Sequence, residues 1–229
     1  MKRKSIPSLF VLLMSMFLFV FSCAYDQKLI PPNQIATADL ANPEVSDGFG
    51  YPLRNYYPMK QGFLEKNERT HGCPISYHPG EDVGSSPNTP IYSASNGRVV
   101  FAAFQNNFSG YIVVIEHTCP PGIKFKIPGG GEADKVWSAY YHMAKIDEEN
   151  VALNKVVSRG KRIGFLGDFP HGSNERHHLH FEIRKINMWN GSAYISAGNR
   201  EYTLCKKPKE WVAEKFVCPS KFIKLNRPN

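Results

Sequence analysis

The sequence predicts an all-β protein with a single domain of antiparallel sheet and long loops between the strands. Short runs rich in β-branched and aromatic residues alternate with turn signals from about Phe49 onward, and no helical period continues there beyond two turns. The chain has 229 residues, 42% of them apolar, which is enough for one compact core. No internal repeat is present. We therefore expect one domain over about residues 49–200.

The strands are predicted from five β-rich segments taken in chain order. They are residues 90–104 around the turn Asn96-Gly97, then 110–117, 136–143, 162–167 and 178–185. Residues 120–134 contain Pro121-Gly122 and three consecutive glycines, and we expect them to form a hairpin or loop over one face. The Lys- and Pro-rich segment 201–229 is expected to be a C-terminal extension in which Trp211 and Phe216 pack back.

The N-terminus has the pattern of a bacterial export signal. Three basic residues at positions 2–4 precede a 13-residue apolar run, Leu9 to Phe21, broken only by Ser15. A retained transmembrane helix is the weaker alternative, since this run is too short to span a bilayer comfortably. Cys23 follows a small residue at the end of the run, as in lipoprotein signals. We therefore expect residues 1–22 to be cleaved and a lipidated Cys23 to anchor the chain in the cell envelope, facing the periplasm or on the outer membrane. The proline-containing residues 23–48 are expected to form a stiff tether.

The five cysteines agree with export, because removing Cys23 leaves four that can pair. These four are Cys73, Cys119, Cys205 and Cys218. Disulfides persist outside the cytoplasm, so two bridges are favoured over four thiols. Of three possible pairings, we favour Cys73–Cys119 and Cys205–Cys218, since the last two are close in sequence. Cysteine ligation of a metal is disfavoured because no Cys-x-x-Cys spacing occurs.

The charge of the chain is basic. The formal net charge is +8, and loss of the signal leaves 25 basic and 20 acidic residues, or +5. This charge is compatible with ordinary solubility or with attraction to an anionic envelope polymer or lipid surface. We expect no nucleic-acid partner for an exported chain without a clustered basic face.

Two histidine-bearing segments a hundred residues apart predict a zinc site. His178 and His180 are two residues apart in a predicted strand, so both emerge from one face while Leu179 points into the core. His78 and Asp82 flank a Pro-Gly corner that can fold back and bring an imidazole and a carboxylate together. Structural zinc takes four protein ligands, whereas catalytic zinc takes three and keeps one position open. The residues alone leave open which of these four donors bind metal.

The sequence alone gives weaker support for a functional role of the other histidines. His142 lies near the end of the β-rich run 137–143 and can point into the same groove, although a surface or capping role is the simpler interpretation. His177 is expected to face away from His178. Three histidines lie in loops or at a strand end and are expected to have no role in the chemistry: His71, His117 and His171. Of these, His171 can also line the cleft.

These motifs resemble the lysostaphin-type, LytM-like zinc metalloendopeptidases that cut peptidoglycan peptides. The resemblance covers about residues 70–190. It consists of the His78–Asp82 segment, residues 90–100 as the following hairpin, the strand 110–117, Tyr141-His142-Met143, the run 160–167 and finally 178–183.

The resemblance implies one Zn²⁺ bound by His78, Asp82 and His180, with His178 and His142 as unbound catalytic histidines. Two imidazoles and one carboxylate leave zinc a net positive charge and an open position, which lowers the pKa of a bound water to about 7. His178 would then move the water's proton to the leaving amine, and His142 would stabilise the oxyanion. The expected partners are peptidoglycan and, through Cys23, a membrane, and the chain is expected to be monomeric.

Three departures from the family pattern bear on substrate choice more than on zinc. Glu81 stands where many members have an apolar residue, and is expected to be either solvent-facing or a partner of a ligand. The excursion 120–134 is longer than usual, and residues 168–176 replace a Gly/Ser/Thr-rich loop. A non-catalytic envelope module that binds and regulates a wall hydrolase is the alternative function, and a zinc-binding adhesin is a third. All five site positions are filled, which favours catalysis.

Overall fold

The computed structural model describes residues 44–56, 61–67, 76–106, 109–168, 177–186 and 207–228. These residues form short and long strands together with two seven-residue helices. In chain order they are β1 Lys66–Asn67, β2 Ser76–Tyr77, β3 Glu81–Gly84, β4 Pro90–Tyr92, β5 Gly97–Asn106, β6 Gly110–Thr118, β7 Phe125–Lys126, β8 Glu132–Ala133, β9 Lys135–Ile146, β10 Val156–Val157, β11 Arg162–Leu166, β12 His178–Arg184, α1 Lys209–Lys215, β13 Phe216–Val217 and α2 Pro219–Leu225. The predicted all-β, antiparallel fold is confirmed.

One nine-stranded sheet organises the domain. Its strand order is β10-β5-β6-β9-β11-β4, and β12 joins it by pairing with β9, β3 and β13. The long strand β9 changes partner along its length, because Trp137–Tyr140 pairs with β12 whereas Met143–Ile146 pairs with β11. The change of partner falls at Tyr141 and His142.

Strand β12 separates apolar from polar side chains by strict alternation. Leu179, Phe181 and Ile183 are fully buried in the main core, which also contains Tyr140 and Val113. Successive side chains of a strand point to opposite faces, so the residues between them lie together on the other face. Those residues are His178, His180, Glu182 and Arg184.

The hairpin predicted for residues 90–100 is wrong, although both of its strands form. Strand β4 pairs with β11, and β5 pairs with β6 and β10. The link between them, residues 93–96, is buried and hydrogen-bonded inside the domain; Ala94 N, for example, donates to Tyr140 Oη. A Cβ at Gly97 would lie 2.3 Å from Glu116 O, so this glycine permits a close approach of strands where the sequence suggested a turn.

The domain begins earlier than the sequence predicts. Ser46 N donates to Thr118 O, and Val45 forms an isolated parallel bridge with the same residue. Asp47 accepts two hydrogen bonds from the Arg159 guanidinium, at 3.0 and 2.7 Å. Residues 44–48 therefore belong to the domain and not to the tether. The predicted signal 1–22 and Cys23 lie outside the described residues, within which no helix is long and apolar enough to cross a membrane.

The described part of the C-terminal extension is built into the same domain. Strand β13 pairs with Ile183 and Arg184 of β12, and Phe222 and Ile223 of α2 belong to the main core. Phe216 is buried and Trp211 packs against the small cluster around it, as predicted.

The predicted Cys73–Cys119 disulfide is wrong, because Cys119 is a free, buried cysteine. It lies at the base of the β7–β8 hairpin, where its N–H donates to Asp134 O and its side chain packs into the main core. Cys73 and Cys205 lie outside the described residues, so the pairing of Cys205 with Cys218 stays a prediction. The hairpin itself confirms the expected excursion over residues 120–134.

Candidate metal centre

The three predicted ligands converge on one point. His180 Nδ1 lies 2.8 Å from Asp82 Oδ1 and 2.9 Å from His78 Nε2, and His78 Nε2 lies 3.1 Å from Asp82 Oδ1. Asp82 and His180 are direct cross-strand neighbours on β3 and β12. His78 precedes the Pro-Gly corner, where a Cβ at Gly80 would lie 2.2 Å from Phe181 O. Glycine at position 80 thus lets the corner lie directly against β12.

The far nitrogens of both imidazoles have acceptors that fix the tautomers. His78 Nδ1–H donates to Gly62 O at 3.2 Å, and His180 Nε2–H donates to Glu182 Oε1 at 2.9 Å. When both rings are neutral, His78 Nε2 and His180 Nδ1 therefore carry lone pairs, and both face the Asp82 carboxylate. Three acceptors at this separation repel one another unless a proton or a cation lies among them.

This triangle of acceptors fits a zinc ion. Two ligands on tetrahedral zinc, with bonds of about 2.0–2.1 Å, lie about 3.3–3.4 Å apart. The observed separations of 2.8–3.1 Å need to widen by only a few tenths of an ångström. Among the described residues, these three form the group of histidine and carboxylate side chains that could hold a metal ion.

The site concentrates negative charge in a buried place. Burial alone raises the pKa of Asp82, but His78 and His180 outweigh it and hold the pKa well below its ordinary value. Burial alone lowers the pKa of His180, yet hydrogen bonds from the ring to Asp82 and Glu182 raise it to about 9. The two shifts are reciprocal: His180 stabilises the charged form of Asp82, and the Asp82 and Glu182 carboxylates favour a positive charge on the His180 side of the site.

A buried row of charged residues continues behind His180 on β12. Glu182 Oε1 accepts from His180, and Glu182 Oε2 accepts from Arg184 Nε at 2.6 Å. Arg184 Nη2 in turn donates to Tyr141 Oη at 2.6 Å, and the ring of Tyr141 packs edge-on against that of His180. A carboxylate behind a metal-binding histidine fixes the ring and makes it a stronger donor to the metal.

Sequence reasoning missed Glu182 and Arg184, although the signal was present. The alternation that assigned His178 and His180 to one face continues for two more members, and both are charged and fully buried. Buried charges on a strand must find partners.

The two predicted catalytic histidines lie beside the ligand triangle without joining it. His178 Nε2 is 3.7 Å from Asp82 Oδ2, and its side chain is 11% exposed. The ring centroids of His142 and His178 are 4.9 Å apart, and those of His142 and His180 are 6.2 Å apart. Two partly buried imidazoles thus flank the three donors, of which His78 and Asp82 are buried and His180 is 13% exposed.

His142 reaches this place through a β-bulge. Tyr140 pairs with Val113 and Met143 pairs with Tyr111, so three steps along β9 match two along β6. The extra residue leaves Tyr141 and His142 together between two core side chains, and His142 has a φ of 62°. Such a φ is costly for a residue other than glycine, and residues held in it cluster at active sites and ligand contacts.

The remaining predicted positions have structural roles or lie elsewhere. His117 is fully buried, where Nδ1–H donates to Asn96 O and Nε2 is 2.7 Å from Ser138 Oγ. Burial lowers its pKa to about 4, so it is a neutral core residue. His177 Nδ1 lies 3.2 Å from Asp168 Oδ1. His71, His171 and most of the loop 168–176 lie outside the described residues.

Comparison with known proteins gives a family match over the same residues. The model described as Peptidase family M23 matches residues 76–194, just over half of the chain, and this range contains all five predicted site residues. The peptidoglycan DD-endopeptidase ShyA of Vibrio cholerae is 26% identical over 133 residues, which are 58% of this chain and 26% of ShyA. The chain therefore spans about a quarter of the length of this relative.

Solved structures give similar matches. A zinc-containing peptidase from Vibrio cholerae is 25% identical, with a TM-score of 0.44 over 59% of this chain and 36% of that one. The antimicrobial peptidase lysostaphin from Staphylococcus simulans is 18% identical, with a TM-score of 0.49 over 79% of this chain and 55% of that one.

Proposed function

Since the chain belongs to peptidase family M23, we propose that it is a zinc-dependent endopeptidase that hydrolyses peptide bonds in peptidoglycan stem peptides or cross-links. The relative ShyA, described as a peptidoglycan DD-endopeptidase, supports this substrate class. We further propose His78, Asp82 and His180 as ligands of one Zn²⁺, and His178 and His142 as catalytic residues.

One observation supports the metal most strongly. Three ligand atoms from different parts of the chain lie 2.8–3.1 Å apart, and when both rings are neutral each imidazole proton is donated elsewhere, which leaves all three atoms as acceptors. Zinc bound there supplies a Lewis acid that polarises a carbonyl and acidifies water. The remaining chemistry belongs to the side chains around it.

His178 is the proposed general base and acid. It stands next to Asp82 and is partly open to solvent, so its ring can accept a proton from an attacking water and later give it to the leaving amine. The neighbouring strand residue His180 holds the metal, and the shared face of β12 therefore brings base and metal together without a flexible loop.

His142 is the proposed donor to the oxyanion. Its ring packs edge-on against that of His178, with centroids 4.9 Å apart, and the bulge in β9 fixes its backbone. A fixed donor is already oriented when negative charge develops on the substrate carbonyl, and loss of one such donor typically costs about 10²–10³ in rate.

A non-catalytic wall-hydrolase regulator is the competing function. A module of that kind needs a binding groove but neither a filled ligand set nor two histidines beside it. The convergence of all five positions therefore favours catalysis. We further propose an envelope location with a lipid anchor at Cys23.

Digestion of purified sacculi tests this function directly. Mass spectrometry of the released material is expected to show new peptide termini, which disappear with a chelator and return when zinc is added. If sacculi bind the protein but yield no new termini at any zinc concentration, the non-catalytic regulator replaces the endopeptidase as the proposed function.

A further inference from the structure

We propose that Glu81 is a positioning residue for the metal centre, through which the C-terminal helix α2 holds the ligand strand β3. Glu81 lies between two of the proposed ligands in sequence and is 1% exposed. The inference rests on the proposed function, because it takes His78, Asp82 and His180 as metal ligands.

The Glu81 carboxylate is fully engaged by residues distant in sequence. Its Oε2 accepts from Tyr56 Oη at 2.7 Å and from Ser220 N at 3.1 Å. Its Oε1 accepts from Ser220 Oγ at 2.7 Å, and Cys218 Sγ lies 3.3 Å away. Burying a carboxylate is costly unless hydrogen bonds compensate it. This set of contacts supplies that compensation and joins three separate segments at one side chain.

Glu81 acts from the side of β3 opposite the metal. Neighbouring residues of a strand point to opposite faces, so Asp82 faces His180 while Glu81 faces Ser220. It therefore holds the strand from the face opposite Asp82. Among the described residues, β3 is only four residues long and pairs with β12 alone.

The other end of this connection is rigid. Ser220 lies in the first turn of α2, and Phe222 and Ile223 of the same helix are fully buried in the main core. A metal site requires its ligands to be held within about 0.5 Å of the binding geometry. A core-anchored helix bonded to a side chain next to Asp82 provides that restraint, so the C-terminal segment becomes a functional part of the peptidase domain.

The test compares Glu81→Gln and Ser220→Ala with the control Ser46→Ala in the full exported chain. Ser46 is likewise a serine whose hydroxyl bonds a side chain distant in sequence, Ser95 Oγ, on another part of the domain. The readouts are the zinc dissociation constant, from competition with a chelator, and the visible absorption spectrum of the Co²⁺-substituted protein, which reports ligand geometry.

Glu81→Gln is expected to weaken zinc binding about tenfold and to change the Co²⁺ spectrum. Tenfold is the low end of the range for substitutions of residues that support metal ligands without binding the metal. Ser220→Ala is expected to weaken binding by a smaller factor in the same direction. Ser46→Ala is expected to lower the Tm of the metal-free protein as Ser220→Ala does, while leaving zinc binding unchanged. If Glu81→Gln does not fold, Tyr56→Phe, which removes one hydrogen bond, takes its place.

Wild-type affinity and spectrum in both Glu81→Gln and Ser220→Ala would overturn the inference and leave Glu81 a purely structural residue. That result is distinguishable from failure of the proposed function, in which the wild-type chain itself would bind no zinc and release no peptides.

Discussion

Glu182→Gln tests the buried row behind the metal centre most sharply. The carboxylate offers two oxygens, one to His180 and one to Arg184, whereas the amide offers a single acceptor oxygen. One of the two donors must therefore lose its partner. If His180 loses it, ring orientation and donor strength suffer, and zinc affinity falls about 10–100-fold, or about 1.4–2.7 kcal/mol.

If Arg184 loses its partner instead, the free energy of unfolding decreases. Arg184 is 0% exposed, and breaking a buried ion pair on one side costs about 3–5 kcal/mol. We expect both effects in part: a higher zinc dissociation constant in chelator competition, and a lower free energy of unfolding in urea.

Glu116→Gln is the matched control, because Glu116 also lies on a strand and bonds a cation, Lys135, but in a partly exposed place. It is expected to change stability by no more than about 1 kcal/mol and zinc affinity not at all. A Glu182→Gln protein with wild-type zinc affinity would refute the role assigned to this carboxylate, whatever its stability.

Three further predictions follow from the same geometry. His180→Ala is expected to lose both zinc and sacculus digestion, whereas His178→Ala is expected to retain most of the zinc and lose digestion; equal digestion by His178→Ala and wild type would remove His178 as the base. His142→Ala is expected to lower kcat about 10²–10³-fold with zinc content unchanged, as measured by metal analysis beside the digest, and a change confined to zinc content would contradict the oxyanion role. The pKa of His117 falls from 6.5 to about 4 on folding, so its contribution to stability is complete above pH 6.5 and is lost as pH falls towards 4. This loss amounts to about 3 kcal/mol and is measured as the difference in urea unfolding between wild type and His117→Gln at pH 7 and pH 4; parallel losses in the two proteins would show that His117 does not cause it.

Local patterns predicted most of the strands and the four donors of the candidate site, whereas the family resemblance supplied their division of roles and His142. The two-residue spacing of His178 and His180 fixed their common face because side-chain direction in a strand depends only on position parity. Most predicted strands were confirmed within a few residues for a similar reason, since alternation and turn residues are local signals.

Features that depend on distant contacts were not predictable in this way. The pairing of β4 with β11 and not with β5 depends on a buried link that looks like a turn in sequence. Glu81 looked equally compatible with solvent, because its partners Tyr56 and Ser220 lie 25 and 139 residues away. The disulfide predicted for Cys119 was based on the even number of cysteines that remain after Cys23, and that number carries no information about which cysteines lie close together.

The bulge in β9 has a consequence for how this site tolerates insertions and deletions. A regular strand offers one side chain to each face in every two residues, but here Tyr141 and His142 both stand between the core residues Tyr140 and Met143. Deleting one codon at this point would restore a regular strand and leave room for only one of them. The protein would then lose either the tyrosine that bonds Arg184 or the histidine that faces His178, with every other residue unchanged. The register of a single strand, and not only the identity of its residues, therefore determines whether both Tyr141 and His142 reach the site.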